Sequence, residues 1–386
     1  MSISIYTAGS FGGDSSSQLY FYNSDGKKSI HTLTTPNDEI GLDTFLTKYD
    51  DTGVVKWVKN IGQDTGTSCD GINISADGFI YVNGVSFVAK YTDSGILKWS
   101  ANIDGPHGSG CKSIAVSTDG TIYITGFYLG PNVIFYNADN TKSKYSLNSD
   151  SEEKNSAKTY LVKYDKNGMV LWATQMGGDK ISHSIGVSLS QDGNIYIAGN
   201  YFDTVFHLYN SDGTRSDYSL KTTNNNSGNC FIAKYNNEGS ALWCSMMGGD
   251  VNSTINTITT SEDGNIFIVG QYKDTEFDLY NSDGSKSNYS LNTMNNNNGD
   301  SFFASYDKDG NVNWSTKMGG NNVSNCNWLS VSSNGNIYVC GNYSASVFDV
   351  YNADGEKSKY SLQLTNQEAQ NGFLAKYNNE GLVLWA

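Results

Sequence analysis

Arginine occurs once among the 25 basic residues, at Arg215, and the formal net charge of the 386-residue chain is −14. Proteins that grip duplex DNA or RNA neutralise phosphate with basic stripes, so this composition argues against a nucleic-acid partner. An acidic surface also disfavours anionic membranes and favours solubility. No apolar run is long enough to span a bilayer, and the first ten residues have neither the basic start nor the apolar stretch of a signal peptide. The location expected from these absences is the cytoplasm, with no membrane partner. The six cysteines show no paired framework, which suits reduced thiols in that compartment. Gly-x-Ser-x-Gly, Gly-x-x-x-x-Gly-Lys and His-Glu-x-x-His are all missing, so no catalytic residue, no cofactor and no enzyme is expected. Apolar residues at helical spacing are missing too, which points to a chain with essentially no helix.

What the chain does have is a repeat. A single Trp returns near the end of each unit, at Trp57, Trp99, Trp172, Trp243, Trp314 and Trp385, with a first step of about 42 residues and later steps of about 71. A period of this kind marks stacked or ring-arranged supersecondary units. A second landmark is an aromatic strand ending in glycine, as in Ile195 to Gly199 and Ile266 to Gly270. A third is a Lys-Tyr pair before a polar turn, as in Lys163-Tyr164 and Lys234-Tyr235, with Ser305-Tyr306 as the exception.

Each unit reads as four short strands. In the fourth unit these cover 184–190, 194–201, 230–235 and 241–247, with Asp192-Gly193 as a hairpin signal because glycine supplies the positive φ of a tight turn. Four-stranded antiparallel units in series suit a β-propeller, in which blades pack face to face and few edges stay exposed. The expected fold is therefore all-β, a single propeller domain over 1–386 with six blades. Five inner strands stand against six of every other type, so either blade 1 lacks its inner strand or a longer parent chain supplies it beyond Ala386, and ring closure is expected between the N-terminal and C-terminal blades. The tryptophans are expected to be filling between blades.

Five of the six units carry about 30 extra residues between the second and third strands, and unit 2 does not. Alternating apolar residues around Ser-Asp-Gly or Ala-Asp-Gly, as in Phe206 to Gly213 and Phe277 to Gly284, describe a β-hairpin arm that projects from a blade or lengthens it. Asn224 to Asn226 and Asn295 to Asn298 then read as polar returns.

The run Phe231-Ile232-Ala233-Lys234-Tyr235-Asn236-Asn237-Glu238-Gly239, with Leu242-Trp243, Met247-Gly248-Gly249 and Asp263 to Gly270, resembles the bacterial "seven-bladed β-propeller" repeat, abbreviated SBBP, a distant relative of NHL-type repeats. The likeness extends over almost the whole chain, departing from the family in having six units, a missing inner strand and an armless blade 2. It implies architecture and no characterised activity. Similar repeats occur in bacterial surface proteins and giant DNA viruses, and the Asn-rich, Arg-poor usage leans towards an AT-rich genome such as the latter; the compartment would then be host cytoplasm or virion.

Three functions are compatible with these residues. Near-equal repeats suit a noncatalytic scaffold that docks protein partners, and this is the leading expectation. A glycan-binding propeller would use the arm tips, with Tyr209, Asn210 and Asp212 and their counterparts Tyr280, Asn281 and Asp283 offering aromatic faces beside polar acceptors. A hydrolase or lyase would place its site at a channel mouth. The only hint of such asymmetry is Cys69, Cys111 and Cys326 at equivalent inner-strand positions, with His107 four residues before Cys111. These are candidates for a soft metal site or a disulfide, against plain burial of small thiols. Asp307 to Asn311 has part of a calcium loop but no distal bidentate acid, so a plain turn is expected there.

Overall fold

Alternating apolar residues, interrupted at regular intervals by Asp-Gly and Asn-Gly turns, fold into strands throughout. The structure is a computed structural model that describes residues 4–12, 18–34, 42–61, 68–149, 156–222, 228–293, 299–364 and 370–386. Among these residues every regular element is a β-strand, and the fold is all-β, of propeller type with six blades. The polar returns expected at Asn224 to Asn226 and Asn295 to Asn298 lie outside the described residues.

The chain forms two compact units. The first comprises Met1–Ile124, Asn132–Asn148 and Val162–Leu171; the second comprises Thr125–Pro131, Ser149–Leu161 and Trp172–Ala386. In the first unit, blade 1 has three strands, Ser4–Gly12, Leu42–Asp50 and Val55–Asn60, and no inner strand precedes them among the described residues. Its arm, Gln18–Tyr22 with Lys28–Thr34, is a two-stranded sheet by itself. Blade 2 contains Cys69–Ile74, Ile80–Gly84, Phe87–Tyr91 and Leu97–Asp104, and its second and third strands are joined by Val85 and Ser86 alone. Ser86 takes φ 77°, the left-handed value such a two-residue turn requires. The blade 2 sheet continues into Asn132–Tyr136 and Lys142–Asn148, which belong to the third repeat.

Blade 3 contributes Ser109–Val116, Ile122–Leu129, Ala157–Tyr164 and Val170–Gly177, and the unit boundary runs through the last three. In the second unit, blade 4 has Ser182–Leu189, Ile195–Tyr201, Asn229–Tyr235 and Ala241–Gly248. Blade 5 has Thr254–Thr260, Ile266–Tyr272, Asp300–Tyr306 and Val312–Gly320; blade 6 has Ser324–Val331, Ile337–Tyr343, Asn371–Tyr377 and Val383–Trp385.

The arms of repeats 3 to 6 do not project freely but extend the sheet of the preceding blade. The arm of repeat 4, Val205–Tyr209 with Arg215–Lys221, pairs with the fourth strand of blade 3 at Met176↔Leu208 and Gly177↔His207. The arm of repeat 5, Glu276–Tyr280 with Lys286–Asn292, joins blade 4 at Met247↔Leu279, and that of repeat 6 joins blade 5 at Met318↔Val350. Four sheets therefore have six strands where four were expected, and each is completed by the next repeat. Pairing a bare fourth strand removes the exposed edge that would otherwise recruit other chains.

The core follows from this arrangement. The second and third strands of blade 4 are buried along their whole length. The arms of repeats 4 and 5 each add a phenylalanine: Phe206 lies 4.5 Å from Phe231 and 5.1 Å from Tyr201, and Phe277 lies 4.8 Å from Phe302. Clusters of this kind combine large burial with favourable tilted ring geometry.

Candidate functional site

The tryptophans act at the joints between successive repeats. The Trp99 indole N–H donates to the Lys166 carbonyl at 3.3 Å, Trp172 to Asn237 at 3.1 Å, Trp243 to Lys308 at 3.3 Å and Trp314 to Asn379 at 3.0 Å. The repeated lysine joins in, since Lys90 Nζ also donates to the Lys166 carbonyl and Lys234 Nζ to that of Lys308. The turn glycine lets the rings approach: at Gly310, with φ +83°, a Cβ would lie 2.7 Å from Ser282 Cβ and 3.1 Å from the Trp243 ring. Trp172, Trp243 and Trp314 are buried, as expected of filling, whereas Trp385 is 38% exposed.

The arm tips turn back onto their own repeats. Asn210 Oδ1 accepts from the Ala241 N–H at 3.0 Å while its Nδ2 donates to Thr214 Oγ1. The Ser211 N–H donates to the Gly239 carbonyl, and its hydroxyl to that of Glu238. Asp212 Oδ1 accepts from both the backbone N–H and the hydroxyl of Thr214, and these bonds hold its carboxyl below the usual range. Asn281 repeats the pattern on Val312, and Asp283 repeats it on Ser285. The structure thus places Asn210, Asp212, Asn281 and Asp283 in clamps within the tips. Tyr209 and Tyr280 are half-buried, and their carbonyls accept from Thr174 and Ser245. Sequence reasoning missed Arg215, which lies across the same arm with Nη2 2.6 Å from His207 Nδ1. Burial and this guanidinium lower the His207 pKa. The signal was available, because the two flank one turn.

Cys69 and Cys111 fall in the first unit and Cys326 in the second. All three are free thiols; Cys111 and Cys326 are fully buried, and burial pushes Cys69 up to about 11 and Cys326 well above the ordinary thiol value. His107 is exposed on the turn before the Cys111 strand. Among the described residues no group of three or more His, Cys, Asp or Glu side chains is placed to hold a metal ion. Asp307 Oδ1 accepts from the Asp309 and Asn311 N–H groups, closing a hairpin turn.

The repeat is broken most visibly at blade 2. Where an arm would leave between its second and third strands, the first unit has a groove of about 530 Å³ lined by Ile61, Phe87, Ala89, Tyr91, Leu97 and Ile103, among others. Leu97 is 43% exposed, whereas Val170, its counterpart in the arm-bearing third repeat, is 9% exposed. Val85 and Ile96 beside it are exposed too. A second cleft of similar volume, in the second unit, is polar and walled by Asp263, Asn334, Asn336, Asn379 and Glu380.

No family model matches the chain. It is 28% identical over 246 residues to an uncharacterised WD repeat-containing protein of Acanthamoeba polyphaga mimivirus, a match covering 58% of this chain and 17% of that protein. The chain therefore spans under a fifth of its relative's length. Among solved structures it is similar to the WD40 domain of Pan2 from Neurospora crassa (12% identity, 77% of this chain and 91% of that one, TM-score 0.26). It is also similar to a DUF4221 family member from Bacteroides vulgatus (12%, 88% and 92%, TM-score 0.36). No described helix is long and apolar enough to cross a membrane. The chain thus has a propeller-type fold and a sequence likeness, over 246 residues, to a viral WD repeat-containing protein.

Proposed function

We propose that this protein is a noncatalytic propeller scaffold that docks protein segments, built from SBBP-like repeats and of giant-virus origin. The observation that carries the reading is the groove at blade 2. Apolar side chains converge there on a surface that the repeat elsewhere covers, and exposed apolar patches of this kind mark interaction sites. Its size falls within the range of ordinary binding clefts. The test is affinity capture from the host cell with the full chain and with Leu97→Asp. Proteins retained by the first and lost by the second support docking at the groove, and identical sets overturn it.

Glycan binding at the tips would require Asn210 and Asp212 to leave the clamps that hold them. Retention of a defined sugar on a glycan array, abolished by Tyr209→Ala with Tyr280→Ala, would replace the scaffold reading with a lectin.

A further inference from the structure

We infer that the blade 2 groove is a seat for a β-hairpin of the arm type, supplied by another protein that bears the tip sequence Tyr-Asn-Ser/Ala-Asp-Gly. The inference rests on the scaffold reading and names its partner.

Five arms in this chain define what the seat recognises. In each, the tip Asn accepts from the first N–H of its own repeat's fourth strand: Asn23 from Val55, Asn137 from Val170, Asn210 from Ala241, Asn281 from Val312 and Asn352 from Val383. The next tip residue donates its N–H to the carbonyl of the turn glycine, at Gly53, Gly168, Gly239, Gly310 and Gly381. Blade 2 has both receptor groups, the Leu97 N–H and the Gly95 carbonyl, yet its repeat has no arm to meet them.

The pairing edge is present as well. Filled sheets meet their arms at the fourth position beyond the joint tryptophan, at Ile103, Met176, Met247 and Met318. The equivalent residue in blade 1 is Ile61, which lines the groove, and the strand before it ends its sheet among the described residues. A hairpin entering here would add strands to blade 1, set its apolar residues among Phe87, Leu97 and Ile103, and clamp its tip on Leu97. This is β-augmentation: main-chain pairing supplies affinity and side-chain pockets supply specificity. The five resident tips are already anchored to their own repeats, so the complementary hairpin comes from a different molecule.

The test uses a synthetic peptide of residues 276–292, fluorescently labelled, titrated into the full chain and followed by anisotropy. Saturable binding is expected, weakened about tenfold by Asn281→Ala in the peptide and at least as much by Leu97→Asp in the protein. A second protein, in which residues 202–228 replace Val85 and Ser86, fills the seat in cis and should not bind the peptide. Absence of saturable binding, or equal binding to the grafted protein, overturns the inference. So does self-association of the chain that the peptide reverses in sedimentation, which would make a second copy the occupant. Selective capture by the wild-type chain without peptide binding would sink this inference alone and leave the scaffold reading standing.

Discussion

The joint between blades 4 and 5 and the joint between blades 1 and 2 share one plan and differ in one part. At both, a tryptophan donates across to the next turn, Trp243 to Lys308 and Trp57 to Asp93, and a turn glycine lies against the ring. At the first, the arm of repeat 5 pairs with Met247, buries Phe277 and clamps Val312. At the second no arm is present, Ile61 and Leu97 line an open groove, and Leu97 is 43% exposed. The core strands of a blade, only three of them in blade 1, are therefore sufficient for the tryptophan contact but not for covering the edge, which falls to the arm.

The largest test of this difference is Phe277→Ala. Emptying a fully buried aromatic position in a filled joint should cost about 3–5 kcal/mol, whereas Leu19→Ala, at the matching position of the half-buried first arm, should cost about 1–2 kcal/mol. Urea denaturation of both variants measures the gap, and equal losses would break the comparison. Next comes Gly310→Ala, expected to lose about 2–3 kcal/mol through left-handed strain and overlap with Ser282 and Trp243. Gly78, with φ +82° and open space around it, supplies the control at about 1 kcal/mol. Asn281→Ala removes the Val312 clamp and should cost about 1–2 kcal/mol, a loss that Leu97, lacking such a clamp, has no counterpart for.

The smallest effect is on pH dependence. At the root of arm 5, Asp274 accepts from the Val251 N–H and the Ser253 hydroxyl, yet burial raises its pKa above the ordinary carboxyl value. A raised folded-state value means that protonation favours the fold. Its stabilising effect is complete below the unfolded carboxyl value and is lost as pH rises through the folded one. Thermal midpoints of the wild type should therefore gain on those of Asp274→Asn as pH falls through that window, and parallel curves would remove Asp274 from the account.

Strands, turns and arms were legible because each is local. Period-two alternation and Asp-Gly dipeptides such as Asp192-Gly193 specify a hairpin wherever it ends up. The destination of an arm was not legible, since choosing the preceding sheet is a long-range decision. Its only sequence trace is the apolar residue four places beyond each tryptophan, at Ile103, Met176, Met247 and Met318. Of the candidate residues at the tips, Tyr209 and Tyr280 end the strands before the turns, while Asn210, Asp212, Asn281 and Asp283 lie on them. Their hydrogen-bonding partners were invisible, because Ala241 and Val312 lie some thirty residues further along the chain. The groove at blade 2 was foreshadowed by the short step between Trp57 and Trp99, but a missing insertion does not say which side chains its absence uncovers.

The completion of four sheets by the repeat that follows each of them also bears on how such a gene can grow or shrink. Excising one blade by its own borders would strip its predecessor of two strands and leave its successor's arm facing a stranger. Only an offset cut, taking four strands from one module together with the hairpin of the next, keeps every filled sheet paired as it is here. The heritable segment is thus out of phase with the visible one.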